Sequence, residues 1–167
     1  MLKSPLGYQT NQSTMIKGKL LIMSLLSGGL IFLACEKEGE NEIKNSAFNG
    51  TESHNMGQNC MNCHKSGGRG EGWFTAAGTV YGDSPQTAVY PNATVKLFTG
   101  RNGTGTLKYT VQVDGKGNFY TTNNLDFSGG LYPAVSGRDA TRFMNSAISN
   151  GQCNSCHGNS TDRIRAN

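Results

Sequence analysis

Leu107-Lys108-Tyr109-Thr110-Val111-Gln112-Val113-Asp114-Gly115-Lys116-Gly117-Asn118-Phe119-Tyr120 is the stretch that decides the fold. Leu107, Tyr109, Val111 and Val113 alternate with polar residues, so the apolar set falls on one face of an extended strand. Asp114 to Gly117 has turn chemistry, and Asn118-Phe119-Tyr120 opens a returning strand. Working outward, Gly78-Thr-Val80-Tyr81 and Ala93-Thr-Val95-Lys-Leu97-Phe98 repeat the period of two, and a further strand is expected near Leu131–Val135. Helical periodicity is confined to Ala140–Ser149. Short strands bounded by turns at this spacing predict a mainly β chain built on a small antiparallel β-sandwich. Glycine, 23 of 167 residues, is well above the usual roughly 7% and agrees with many turns.

The formal charge of +4 overstates the basicity of the folded part. Lys3, Lys17 and Lys19 precede an apolar run. Without them, 12 basic residues face 11 acidic ones. A nearly neutral chain has no electrostatic footprint for nucleic acid, so no nucleic-acid partner is expected.

The apolar run itself, Leu20 to Ala34, is 15 residues long. That is short of the roughly 20 that cross a bilayer and has the length of a signal-peptide core. Residues 1–34 are read as a signal peptide, with Met15 a candidate start. Phe32-Leu33-Ala34-Cys35 resembles the lipobox of bacterial lipoproteins, departing from it at Phe32 where leucine is usual. The resemblance implies lipidation of Cys35, a membrane anchor, and an exported, periplasmic or cell-surface location. Glu36 after the cysteine is similar to lipoproteins sent to the outer membrane. The acidic run from Glu36 to Glu42 is expected to be a solvated tether, so residues 35–50 are assigned to it.

The remaining cysteines form two motifs: Cys60-Met61-Asn62-Cys63-His64 and Cys153-Asn154-Ser155-Cys156-His157. Cys-x-x-Cys-His is the attachment pattern of c-type haem. Two thiols add to the two vinyl groups, and the adjacent histidine lies under the iron. Two copies use all four of these cysteines and two of three histidines. The expectation is two covalent haems, held by Cys60, Cys63, Cys153 and Cys156, with His64 and His157 as proximal ligands. Rival readings are a four-thiolate zinc site, a redox dithiol and simple disulfides. The first is disfavoured by the long stretch between the pairs, and the second by the lack of a βαβ pattern. Each motif is expected on a short helical turn amid glycines, in segments 51–76 and 137–167 flanking a sandwich at 77–136. Trp73 and Phe74 are expected either to pack on the first cofactor or to plug the foot of a strand.

His54 is the one histidine outside the motifs. It lies six residues before Cys60, a reach of up to roughly 20 Å, and is the candidate distal ligand. For the other iron the candidates are thioethers, Met144 and Met56, with Met144 preferred. Three histidines cannot give two irons two histidines each within one chain, so the sites are expected to differ.

The segment between the motifs resembles the carboxypeptidase regulatory-like β-sandwich family through Gly78-x-Val80, Ala93-x-Val95-x-Leu97 and Asp114-x-x-Gly117-x-Phe119. The resemblance implies a prealbumin-like sandwich without catalysis of its own. Exported multihaem cytochromes share the layout of such a sandwich beside Cys-x-x-Cys-His segments. The functional expectation is electron transfer with other redox proteins at the bacterial envelope, and no catalytic residues. Two alternatives stand beside it. One is a dihaem peroxidase or reductase with an open iron. The other is a partner-binding or filament-forming sandwich, a homo-oligomer using its haems as a conduit.

Overall fold

The computed structural model describes residues 43–83 and 88–167, which belong to one compact unit. The expected signal peptide, Cys35 and the first half of the expected tether, to residue 42, lie outside the described residues. No described helix is long and apolar enough to cross a membrane.

The fold is a small β-sandwich, as the alternation predicts. Strand β1 (Ala76–Tyr81) is the spine of the first sheet and is buried along its whole length. One edge of β1 pairs antiparallel with β4 (Asn118–Thr121), with Gly78 opposite Phe119 and Thr79 opposite Asn118. Its other edge takes two short parallel strands in turn. β7 (Gly151–Gln152) lies beside Ala76 and Ala77, and β8 (Ile164–Arg165) beside Val80 and Tyr81. The second sheet runs β3-β2-β5-β6, all antiparallel. Its strands are β2 (Thr94–Phe98), β3 (Leu107–Gln112), β5 (Tyr132–Ser136) and β6 (Thr141–Phe143).

The core between the sheets follows the period of two. Val95 and Leu97 of β2 point inward, as do Val111 and the neighbouring Val113, and they meet Val80, Phe119, Leu131 and Val135. The inward face of β3 fades toward its start: Leu107 is largely exposed while Val111 is buried. Most core residues are small, so each contributes modestly at about 25 cal/mol per Å2 of apolar surface removed from water.

Two expectations change. The strand after Asp114–Gly117 does not pair with the one before it; β3 and β4 belong to different sheets. The turn is fixed locally, by Asp114 Oδ1 accepting from the Lys116 and Asn118 amides at 2.9 Å each, and so fits either arrangement. Ala140–Ser149 forms no helix. Its first part becomes β6, with Phe143 opposite Ala134, and Ile148 bridges Leu131. Thr141 and Phe143 favour a strand, and the open edge of β5 supplies hydrogen bonds that an isolated turn of helix lacks.

Candidate functional site

Both Cys-x-x-Cys-His segments fold alike. Cys60–Asn62 and Cys153–Ser155 are each a single 3-10 turn. In the first, the Cys63 and His64 amides both donate to the Cys60 carbonyl, at 3.1 and 3.0 Å. In the second, Cys156 and His157 donate to the Cys153 carbonyl at 3.3 and 3.0 Å. The turn carries both thiols and the imidazole out of one short loop. All four cysteines are free thiols. Among the described residues, no group of three or more histidine, cysteine and carboxylate side chains converges on a metal position.

The histidines share a second feature. His64 Nδ1 lies 2.8 Å from the Glu71 carbonyl oxygen, and His157 Nδ1 lies 2.6 Å from that of Asp162. A carbonyl can only accept, so Nδ1 carries a proton, and in the neutral ring Nε2 keeps its lone pair. That is the tautomer a metal-ligating histidine needs, set by a backbone acceptor behind it.

The first motif opens on a cavity of about 240 Å3 lined by His54, Cys60, Cys63, His64, Phe74 and Tyr120, among others. Within it the His54 and His64 rings are 5.9 Å apart, centroid to centroid. Phe74 stacks on His64 at 4.2 Å and Tyr120 stacks on Phe74 at 4.8 Å, bracing the His64 imidazole. Phe74 therefore plays the bracing part, while Trp73 stays exposed. Gly70 is required by the same packing: a Cβ there would lie 2.7 Å from His64 Nδ1.

The second motif is an excursion between β7 and β8 along the edge of β1. It faces a larger cavity, about 580 Å3, that reaches the sandwich core. Cys153, Cys156, His157 and Met144 share this lining with Val95, Leu97, Phe119 and Val135. Met144 is therefore brought to the second site, whereas Met56 is exposed and lines neither cavity. Burial pushes the Cys153 thiol up to about 12, with smaller contributions from Cys60 and Cys156 nearby. Burial also raises the Cys60 thiol.

A buried polar network joins the two turns, and sequence reasoning missed it. Thr79 Oγ1 donates to Asn118 Oδ1 at 2.6 Å and accepts from the Gly57 amide at 2.8 Å and Asn154 Nδ2 at 3.1 Å. Asn154, inside the second motif, also accepts from the Thr79 amide and donates to the Gln58 carbonyl just before the first. Asn118 Nδ2 donates onward to Ser53 Oγ and the His54 carbonyl. One signal was legible: Thr79 is a polar residue inside the apolar run of β1.

The donor sets fit haem. Each turn offers two thiols and an imidazole with Nε2 available beside a cavity, and the first cavity adds a second imidazole. No protein-family model, curated protein or solved structure matches the chain.

Proposed function

We propose that the chain is an electron-transfer dihaem c-type cytochrome, exported and lipid-anchored through Cys35, with a prealbumin-like sandwich as its scaffold. The observation that carries the reading is the duplication of one device. Two separate Cys-x-x-Cys-His turns have the same hydrogen bonds and the same carbonyl behind the histidine. Haem supplies an iron that cycles between ferric and ferrous states. The protein's part is to hold it. Cys60, Cys63, His64 and His54 would hold the first group. Cys153, Cys156, His157 and Met144 would hold the second. The glutamine, asparagine and glycine residues around both turns suit an electron carrier. The Thr79–Asn154 network fixes the two turns side by side, which suits passage of electrons between them and on to other redox proteins.

The test is electron transfer by the mature holoprotein. Reduced with dithionite and desalted, it is expected to pass two electrons per chain to a ferric small cytochrome in stopped flow. Carbon monoxide is expected to leave the first site's spectrum unchanged. Rapid carbon monoxide binding at the second site, with catalytic turnover of peroxide, would instead favour the peroxidase or reductase reading.

A further inference from the structure

The two candidate sites differ in the charge of the side chains around them. The charged side chains lining the first cavity are Lys44, Glu52 and Glu71, and Arg69 donates to Cys63 Sγ at 3.3 Å beside it, so the two signs balance there. Lys44 is engaged by Glu71 at 2.9 Å. The second cavity is lined by Arg142, Arg163 and Arg165 against Asp162. Arg142 also pairs with Asp83 at 2.9 Å, and the balance stays positive with Asp83 counted. Arg163 lies over the Tyr81 ring at 4.5 Å, and Arg165 donates to the Gly82 carbonyl at 2.8 Å, so both guanidiniums are held in place.

Reduction of a haem iron lowers the charge of the site by one. Cationic neighbours favour that change and anionic neighbours oppose it. A thioether from Met144 in place of a second imidazole raises the potential in the same direction. The ordering does not need that ligand, because the charge difference already sets it.

We infer that the second site is the high-potential haem and the first the low-potential haem, so electrons enter at His54/His64 and come to rest at His157. The inference rests on the dihaem reading. The internal step is a one-electron exchange. The ferrous iron of the first site becomes ferric and the ferric iron of the second becomes ferrous, with no proton moved and no bond made or broken. A low-potential one-electron donor, a redox protein or reduced quinol-type carrier, reloads the first site.

The experiment is a potentiometric titration of the mature holoprotein, followed optically and by low-temperature electron paramagnetic resonance. Two one-electron waves are expected. At half reduction, the signal lost in the His54→Ala variant should still be fully ferric, while the other haem is ferrous. Arg142→Gln and Arg163→Gln are expected to lower the upper wave and leave the lower wave in place. Coincident waves, the reverse order, or arginine variants that move the lower wave alone would overturn the inference. Fewer than two haems per chain would instead defeat the dihaem reading beneath it.

Discussion

Thr79 and Asn154, 75 positions apart, exchange two hydrogen bonds: the Thr79 amide donates to Asn154 Oδ1 at 3.1 Å, and Asn154 Nδ2 donates to Thr79 Oγ1 at 3.1 Å. The pair ties the interior of the second motif to the spine of the first sheet. Through the Gly57 amide and the Gln58 carbonyl it also ties down the approach to the first motif. Every polar atom of the Asn154 amide has a partner, as a buried network requires.

Asn154→Leu should therefore be costly despite its similar volume. It orphans the Thr79 amide and the Gln58 carbonyl, at about 1–3 kcal/mol for each buried group left unpaired. Denaturant unfolding of the holoprotein measures this. Asn159→Ala is the comparison, because its bond to the Ser155 carbonyl is exposed and should cost under about 0.5 kcal/mol.

Gly70→Ala should disturb the first site alone. Its Cβ would meet three His64 ring atoms at 2.7 to 2.9 Å, so the ring must swing and the bond to the Glu71 carbonyl must lengthen. The expected outcome is a high-spin fraction at one of two haems in the absorption spectrum. Gly129→Ala, which meets no atom within 4 Å, should leave both haems unchanged.

His54→Ala should open the first iron. The variant is expected to bind carbon monoxide at a haem that is inert in the parent, with the second haem unaffected. An unchanged spectrum would remove His54 from the ligand set and leave its 5.9 Å approach to His64 as packing.

The sandwich was legible in the sequence because period-two alternation survives in β2 and toward the end of β3, and turn residues bound the strands. The assignment of strands to sheets was not, because Asp114–Gly117 makes the same local bonds whether the chain returns beside β3 or crosses to β1. Residues 140–149 misled for a related reason: their weak helical pattern has no cap, and a free strand edge decides the outcome. At the candidate sites the motifs declared themselves by spacing, and His54 by being the spare histidine. The Glu71 and Asp162 carbonyls were invisible because backbone acceptors carry no residue signature. The asparagine–threonine network was invisible because its members come from four separate segments.

The haem-free protein offers a pH test of the buried thiol. The fold holds the Cys153 thiol up to about 12, against 9.0 for a free thiol, because burial opposes the thiolate. A folded value above the unfolded one means that this contribution to stability is complete below pH 9.0 and is lost as pH rises toward about 12. Iodoacetamide should therefore label Cys153 more slowly than exposed Cys156 at pH 8. Labelling of Cys153 should accelerate about tenfold per pH unit while the fold persists. Equal rates for both cysteines at pH 8 would contradict the burial.

The most direct test of the central claim is a haem count on the mature protein, expressed in a host that matures c-type cytochromes. A pyridine haemochrome assay should give two haems per chain, and intact mass should show both retained after acid–organic extraction. Cys60→Ser/Cys63→Ser and Cys153→Ser/Cys156→Ser should each retain one. A mature chain with no covalent haem, or with its four motif cysteines fully alkylatable, would contradict the account.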